Sequence, residues 1–356
     1  MIKQFEKILI SKTATVKEAM KQLDLNAEKI LFVVENGVKL VGSLTDGDIR
    51  RWILKEGSLN EEVSKVCFTG TFTVKTNYDV TKVKEEIFKR QISYVPVLDD
   101  SNNIVEFLFW DKLFDGKIIR KIKEKLDAEI VIMAGGKGTR LDPFTRILPK
   151  PLIPIGNKTI LEIIIEKFTD YHVHHFYVSV NHKARIIKSY FEELNPDFRI
   201  SYLYEEKPLG TIGALKQIEG KSEKEILLTN CDIIIEADYD DLLKHHKEQR
   251  NDITIVVSLK HYNIPYGICE IVNGGTLVNI KEKPEYDFLV NTGMYVINNE
   301  IINLIPENEF FNATDLVEKA LIKNKKVGIY PISENSWVDT GEWVEYKKAL
   351  NKLNIG

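Results

Sequence analysis

One run constrains this chain more than any other: Ile130-Val131-Ile132-Met133-Ala134-Gly135-Gly136-Lys137-Gly138-Thr139-Arg140-Leu141, carried on to Pro149-Lys150-Pro151. Its first four residues are apolar and β-prone, which suits a strand buried on both faces. The strand then breaks into three glycines within four positions. Glycine takes positive φ and has no Cβ, so backbone N–H groups there can close around an anion. Thr139 adds a hydroxyl, and Lys137, Arg140 and Lys150 bring three cations close to the turn. Together these features describe a site for a polyphosphate. The glycines read GGxG, so the run is not a dinucleotide fingerprint. Nor is there a P-loop, since Gly220-Lys221-Ser222 has Leu215 where the first glycine should stand. A glycine turn alone is more at home in a plain structural loop, so the rest of the chain has to decide.

The net charge is −4, with 44% apolar and 29% charged residues. That balance gives no general attraction to nucleic acid or an anionic membrane, so any polyphosphate site must be local. No apolar run reaches membrane-spanning length, and Met1-Ile2-Lys3-Gln4-Phe5 lacks the core of a signal peptide. Cys67, Cys231 and Cys269 are scattered without metal spacing, as expected in a reducing cytoplasm. The histidines, including the pair His245-His246, read as ordinary surface or boundary residues. A length of 356 residues predicts two domains.

The N-terminal part matches itself at an offset of 64, with Val16 on Val80, Leu23 on Ile87, Val33 on Val97 and Leu44 on Leu108. Each copy reads as a helix, two short strands around a polar turn, and a second helix. Two copies are too few for a solenoid and predict a packed pseudo-symmetric pair, residues 1–66 and 67–125. The first copy ends in Gly42-Ser43-Leu44-Thr45-Asp46-Gly47-Asp48. This resembles the G-x-x-T-x-x-D motif of CBS domains, whose Thr and Asp contact a bound nucleotide, usually an adenosine nucleotide. The resemblance implies a regulatory site at Thr45 and Asp48. The second copy departs, with Glu106 for the glycine and Phe109 for the threonine. A pair kept for dimerisation or stability stays an equal alternative. Asp111 to Ala128 reads as a lysine-rich helical connector.

From Glu129 onward, apolar runs alternate with helical patterns. The fold class is therefore α/β, a mainly parallel sheet with helices on both faces over residues 129–356. Ligands in such sheets bind beyond the carboxyl ends of the strands. The string A-G-G-x-G-T-R-L-x-P-x-T-x-x-x-P-K-P from Ala134 to Pro151 resembles the signature of the sugar-1-phosphate nucleotidyltransferases, which have a Rossmann-like sheet. Glu205-Glu206-Lys207-Pro208-Leu209-Gly210-Thr211 is similar to the base-recognition segment of the guanylyltransferases among them. Asn230-Cys231-Asp232 resembles the family's N-G-D, with cysteine for glycine, and Trp337-Val338-Asp339-Thr340-Gly341 resembles W-x-D-x-G. Tyr266-Gly267, Glu282-Lys283-Pro284 and Asn291-Thr292-Gly293 resemble the motifs that meet the sugar phosphate.

The resemblance implies a reaction of NTP with sugar-1-phosphate to give NDP-sugar and pyrophosphate. It implies that Ala134, Gly135, Gly136, Gly138, Thr139, Glu205, Gly210 and Thr211 hold the nucleotide. Arg140, Lys150, Asp232 and Lys283 would be catalytic, and Asp232 and Asp339 would bind Mg²⁺. Gly267, Glu282, Asn291 and Thr292 would hold the sugar. Glutamate at 205 accepts hydrogen bonds only, which suits the adjacent donors of guanine, so GTP is expected. Glu205 facing solvent, with Glu206 in its place, is the alternative. The arrangement most resembles the glucosamine-1-phosphate guanylyltransferases of legionaminic acid pathways. A non-sugar acceptor such as phosphocholine, or a sensor without catalysis, are the rival readings. The expected state is a cytoplasmic homo-oligomer.

Overall fold

Strand β7 (Glu129–Met133) is buried from Ile130 onward, and its side chains alternate between two cores. Ile130 and Ile132 pack with Ile164 and Phe168 of the helix Ile160–Thr169, Phe191 of the helix Ala184–Leu194, and Leu242 of the helix Tyr239–Glu248. Val131 and Met133 pack with Ile301, Ile302 and the helix Ala313–Ile322. A strand apolar at every position is the form a two-sided interior demands. Each such side chain removed from water contributes about 1.5–3 kcal/mol.

The structure is a computed structural model and describes residues 5–25, 30–79, 82–83, 86, 89–90, 92, 94–109, 123–332 and 334–352. The chain divides into two units, residues 1–122 and 123–356. In the second, β7 is central to a seven-stranded sheet with β10 (His175–Val180), β11 (Arg199–Tyr204), β12 (Ile226–Asn230), β14 (Ile253–Asn263), β17 (Glu285–Ile297) and β18 (Val327–Ile332). The order is β11-β10-β7-β12-β17-β14-β18, with β17 antiparallel to both neighbours and the other pairs parallel. The chain leaves β7 toward β10 and β11, then returns to β12 on the opposite side. That reversal opens a crevice at the carboxyl ends of β7 and β12. Thr159 caps the helix Ile160–Thr169 in a reciprocal pair with Glu162.

Two small pairings flank this sheet. β13 (Ile233–Ile235) runs antiparallel to β19 (Trp337–Asp339), and β15 (Ile268–Val272) to β16 (Thr276–Lys281). β8 (Pro154–Ile155) and β9 (Lys158–Thr159) make a short hairpin before the helix they introduce.

In the first unit the sequence repeat returns as a repeat of strands. β1 (Leu9–Ser11), β2 (Ile30–Glu35) and β3 (Lys39–Thr45) form one sheet, and β4 (Val74–Lys75), β5 (Tyr94–Leu98) and β6 (Ile104–Phe109) the other. Each joins a parallel pair to an antiparallel hairpin, and the bulge at Val33/Val34 recurs at Val97/Leu98. The hairpin turn at Asn36-Gly37 has φ of 52° and 79°, which Asn and Gly accept most readily. Phe32 and Val34 share a core with Leu98, Ile104 and Phe107, the Phe32 and Phe107 rings lying 4.8 Å apart. Val80 and Ile87 lie outside the described residues, as does most of the lysine-rich connector. Its end corrects the helical expectation, because residues 123–127 have no regular structure. They lie along the second unit instead, the Leu126 N–H donating to the Tyr171 carbonyl and Lys123 pairing with Asp170.

Candidate active site

Beyond Met133 the chain turns through the glycines, and Gly138 is left-handed at φ 68°. A Cβ there would meet Lys150 Cβ and Thr145 Cγ2, both at 2.9 Å. The loop therefore folds back onto the Pro149-Lys150-Pro151 segment so closely that only glycine fits. Beyond β12, the Cys231 N–H donates to the Met133 carbonyl at 3.1 Å, which aligns the two strand ends. The Cys231 side chain is buried, and burial pushes its thiol up to about 12, so it offers no thiolate.

Pairing of β13 with β19 sets Asp339 opposite Ile233, beside Asp232. The N–H and hydroxyl of Thr340 donate to the Asp232 carbonyl at 2.7 and 2.8 Å. Gly341 lies where these groups meet. A Cβ on it would be 2.9 Å from Asp339 Oδ1, 3.0 Å from Asp232 Oδ2 and 3.4 Å from Lys150 Nζ. Lys150, only 7% exposed, forms an ion pair with Asp232. Burying an ammonium is expensive unless an anion compensates it, and Asp232 does so. Asp339 has less support. Burial pushes its carboxyl above the usual range and the charge of Asp232 adds to this, while the Gly341 N–H, Lys150 and Arg140 pull it back. Two carboxylates thus lie beside one ammonium, which pairs with Asp232.

This donor set fits Mg²⁺. A hard cation takes carboxylate oxygens, and magnesium usually keeps one or two carboxylates together with waters and substrate phosphates. Among the described residues no group of three or more His, Cys, Asp or Glu side chains could form a metal cage alone. Asp232 and Asp339 would hold the ion, with phosphate oxygens completing its shell.

The base-segment residues divide. Glu205, at the end of β11, is buried, which removes the solvent-facing alternative, while Glu206 is exposed. Its Oε2 accepts the Leu209 N–H at 2.9 Å, and its Oε1 is 2.5 Å from where a Cβ on Gly135 would sit. Burial raises its carboxyl above the ordinary range, opposed by the Leu209 N–H and the Ser179 hydroxyl. Glu205 therefore bridges the base segment and the glycine loop. Gly210, at φ 80°, turns against the Phe311 carbonyl. The Thr211 hydroxyl accepts the Ala313 N–H at 2.9 Å and so serves the start of a helix.

In the Asn291-Thr292-Gly293 turn, Gly293 packs against Asn230, where a Cβ would be 2.6 Å from Nδ2. Asn291 spans this turn, donating to the Tyr295 hydroxyl at 2.6 Å and accepting the Gly293 N–H at 3.0 Å. Thr292 requires a correction. It is 2% exposed and its hydroxyl donates to the Val256 carbonyl at 2.8 Å, so it secures the bulge in β14 rather than facing a ligand. Gly267 approaches Glu282 closely, and Glu282 and Lys283 are exposed beside the β15–β16 hairpin.

In the first unit, Thr45 and Asp48 are partners of one another. Thr45 caps the helix Asp46–Leu54: its hydroxyl accepts the Asp48 N–H, while Asp48 Oδ2 accepts the Thr45 N–H and hydroxyl at 2.9 and 2.7 Å. Asp48 Oδ1 takes Arg51 at 2.6 Å. The T-x-x-D spacing is also that of a capping box, a signal available in the sequence.

Other roles went unread. His246 is buried, not superficial, with its ring nitrogens 2.8 Å from Thr254 Oγ1 and 2.9 Å from Asn298 Oδ1. Glu342 meets Arg140 at 3.0 Å, and Trp343 donates to the Asp142 carbonyl at 2.7 Å. No spacing rule reveals pairs so distant along the chain.

The nucleotidyl transferase family matches residues 129–355, and the CBS domain matches residues 2–55. The chain belongs to the nucleotidyl transferase family, with a CBS domain ahead of the catalytic-type sheet. It is 34% identical over 235 residues to the bifunctional protein GlmU of Methanococcus maripaludis, covering 63% of this chain and 54% of that one. It is 29% identical over 228 residues to the D-glycero-alpha-D-manno-heptose 1-phosphate guanylyltransferase of Aneurinibacillus thermoaerophilus, covering 63% and 98%. The crystal structure of HddC from Yersinia pseudotuberculosis superposes with a TM-score of 0.50 at 25% identity, over 64% of this chain and all but 1% of that one (99% covered). The chain spans about half the length of the GlmU relative. Among the described residues no helix is long and apolar enough to cross a membrane.

Proposed function

We propose that residues 129–356 transfer a nucleoside monophosphate from an NTP to a hexose-1-phosphate. An oxygen of the sugar phosphate attacks the α-phosphorus, the bond to the β-phosphate oxygen breaks, and pyrophosphate leaves with the electron pair. The observation that carries this reading is the convergence of Lys150, Asp232 and Asp339 at Gly341, where the glycine loop meets the end of β12. Such transfers depend on alignment and charge neutralisation more than on a protein nucleophile. The Gly135–Gly138 amides and Arg140 would hold the triphosphate, and Lys150 would neutralise charge near the α-phosphate. Lys283 would hold the acceptor phosphate, with Gly267, Glu282 and Asn291 on the sugar. Bound Mg²⁺ would supply further neutralisation of the phosphates. Two metal-type carboxylates speak for catalysis over sensing alone.

The finer assignments belong to the same proposal. GTP is the preferred donor, supported by a buried Glu205 joined to both the base segment and the glycine loop. A relative named as a guanylyltransferase agrees with it. Glucosamine-1-phosphate is the proposed acceptor, from the resemblance of the domain arrangement. A nucleotide at Thr45 and Asp48 would regulate the activity, exchanging for the contacts that Asp48 makes with Thr45 and Arg51. The test is competition among GTP, UTP, CTP and dTTP at equal concentration with glucosamine-1-phosphate and Mg²⁺, the products separated by mass. GDP-sugar should dominate. A dominant UDP, CDP or dTDP product overturns the base assignment.

A further inference from the structure

The signature loop is strapped to the segment that follows Asp339, and the strap puts a carboxylate in an unexpected place. Trp343 Nε1 donates to the Asp142 carbonyl at 2.7 Å, its ring lies 5.0 Å from that of Phe144, and the Tyr346 hydroxyl bonds to the Pro154 carbonyl. These contacts bind residues 341–346 to residues 142–154 whatever Glu342 does. Glu342 then carries its carboxylate to Arg140, with Nη1 3.0 Å from Oε1. Both side chains are largely exposed, at 65% and 56%. The pair is therefore weak, and it joins the guanidinium through a single contact. Nothing in the packing needs this acid, because the tryptophan and tyrosine already hold the strap.

We propose that Glu342 is the exchange partner of Arg140. It keeps the guanidinium beside the glycine loop before the nucleotide arrives, yields it to the triphosphate, and retakes it as pyrophosphate departs. This rests on the reading of Arg140 as a triphosphate ligand. A carboxylate carried on a strapped backbone shortens the search of a long arginine for its working position. It also competes with every phosphate that Arg140 binds. An exposed pair of this kind is weak enough for a polyphosphate to displace and strong enough to favour its release. Glu342 is thus a positioning residue that sets pyrophosphate affinity without touching the reacting atoms.

The experiment is a cycle of the full chain, Glu342→Gln, Arg140→Gln and the double variant. Binding of inorganic pyrophosphate with Mg²⁺ is measured by calorimetry, and NTP KM and kcat by pyrophosphate release. Glu342→Gln should tighten pyrophosphate and lower the NTP KM roughly two- to fivefold, with Glu342→Asp close to the parent chain. In the Arg140→Gln background the same change should do nothing. Unchanged or weaker pyrophosphate binding in Glu342→Gln, with Arg140→Gln still weakening it strongly, overturns the exchange. A loss confined to kcat and melting temperature does so too, by making Glu342 part of the strap alone. If Arg140→Gln leaves pyrophosphate binding intact, the triphosphate role of Arg140 fails first, and the exchange fails with it.

Discussion

Asp48 and Asp339 make an instructive pair: Asp48 stands in the first turn of the helix after β3, Asp339 ends β19, and the sequence points both toward a nucleotide-linked site. Asp48 is fully occupied by its own unit: one oxygen takes the Thr45 N–H and hydroxyl, the other Arg51. Asp339 takes a backbone N–H from Gly341, is held above its usual range chiefly by burial, and has Asp232 as a like-charged neighbour. One carboxylate completes a helix end, and the other maintains a local excess of negative charge. An acid that the fold satisfies needs no ligand to explain it. A pair of acids of which only one has a lysine partner gains most when a cation or a phosphate-bound cation arrives.

The contrast can be broken most sharply at the carboxylate cluster. Asp232→Asn or Asp339→Asn should lower turnover about 10²–10³-fold, the usual effect of removing one well-placed charge from such a site. Melting of Asp339→Asn should stay near that of the parent chain, since the change relieves like-charge crowding, whereas Asp232→Asn also takes the partner of the buried Lys150 and should melt lower. Turnover near the parent value in both variants, measured by pyrophosphate release, would make the cluster merely structural. A smaller effect is expected at Glu205. Glu205→Gln should narrow the preference for GTP about tenfold, the scale of one unpaired polar contact in a buried site. Competition among the four triphosphates reads this directly, and an unchanged ratio would leave Glu205 as a loop brace only.

The first unit should respond in stability. Thr45→Ala removes a helix cap, a loss of about 1 kcal/mol. Amides of the helix Asp46–Leu54 should then exchange with solvent about fivefold faster. Unchanged exchange would mean that the capping box contributes little, and would narrow the difference between Asp48 and Asp339.

The smallest effect concerns pH. Burial lowers the pKa of His246 below its ordinary 6.5, with the Asn298 contact opposing. As pH falls through about 6.5 the unfolded chain takes up a proton that the folded chain refuses, so stability present above that value is lost below it. The slope is at most about 1.4 kcal/mol per pH unit. Urea midpoints at neutral and mildly acidic pH should therefore differ more for the parent chain than for His246→Gln. Equal differences would remove His246 as the source.

Legibility in the sequence followed the range of the interaction. β7, the glycine turn and the alternation of strands with helices could be read because each depends on residues close in sequence and on a period. The repeat was readable from its offset of 64, and the structure adds a bulge that recurs at Val33 and Val97. What escaped depended on distant partners. Thr292 has the look of a ligand residue in the sequence, but its hydroxyl goes to the Val256 carbonyl. His246 looked superficial because a histidine pair on a polar helix carries no sign of the strand it packs on. Glu342 carried no motif at all.

The central claim is that the crevice at the ends of β7 and β12 is a transfer site, and pyrophosphate release tests it most directly. The full chain with Mg²⁺ would be given each of the four triphosphates with and without a series of hexose-1-phosphates. The account predicts pyrophosphate in step with NDP-sugar, greatest with GTP, and dependent on the sugar phosphate. No release with any pair, or equal release when the sugar phosphate is left out, would contradict it.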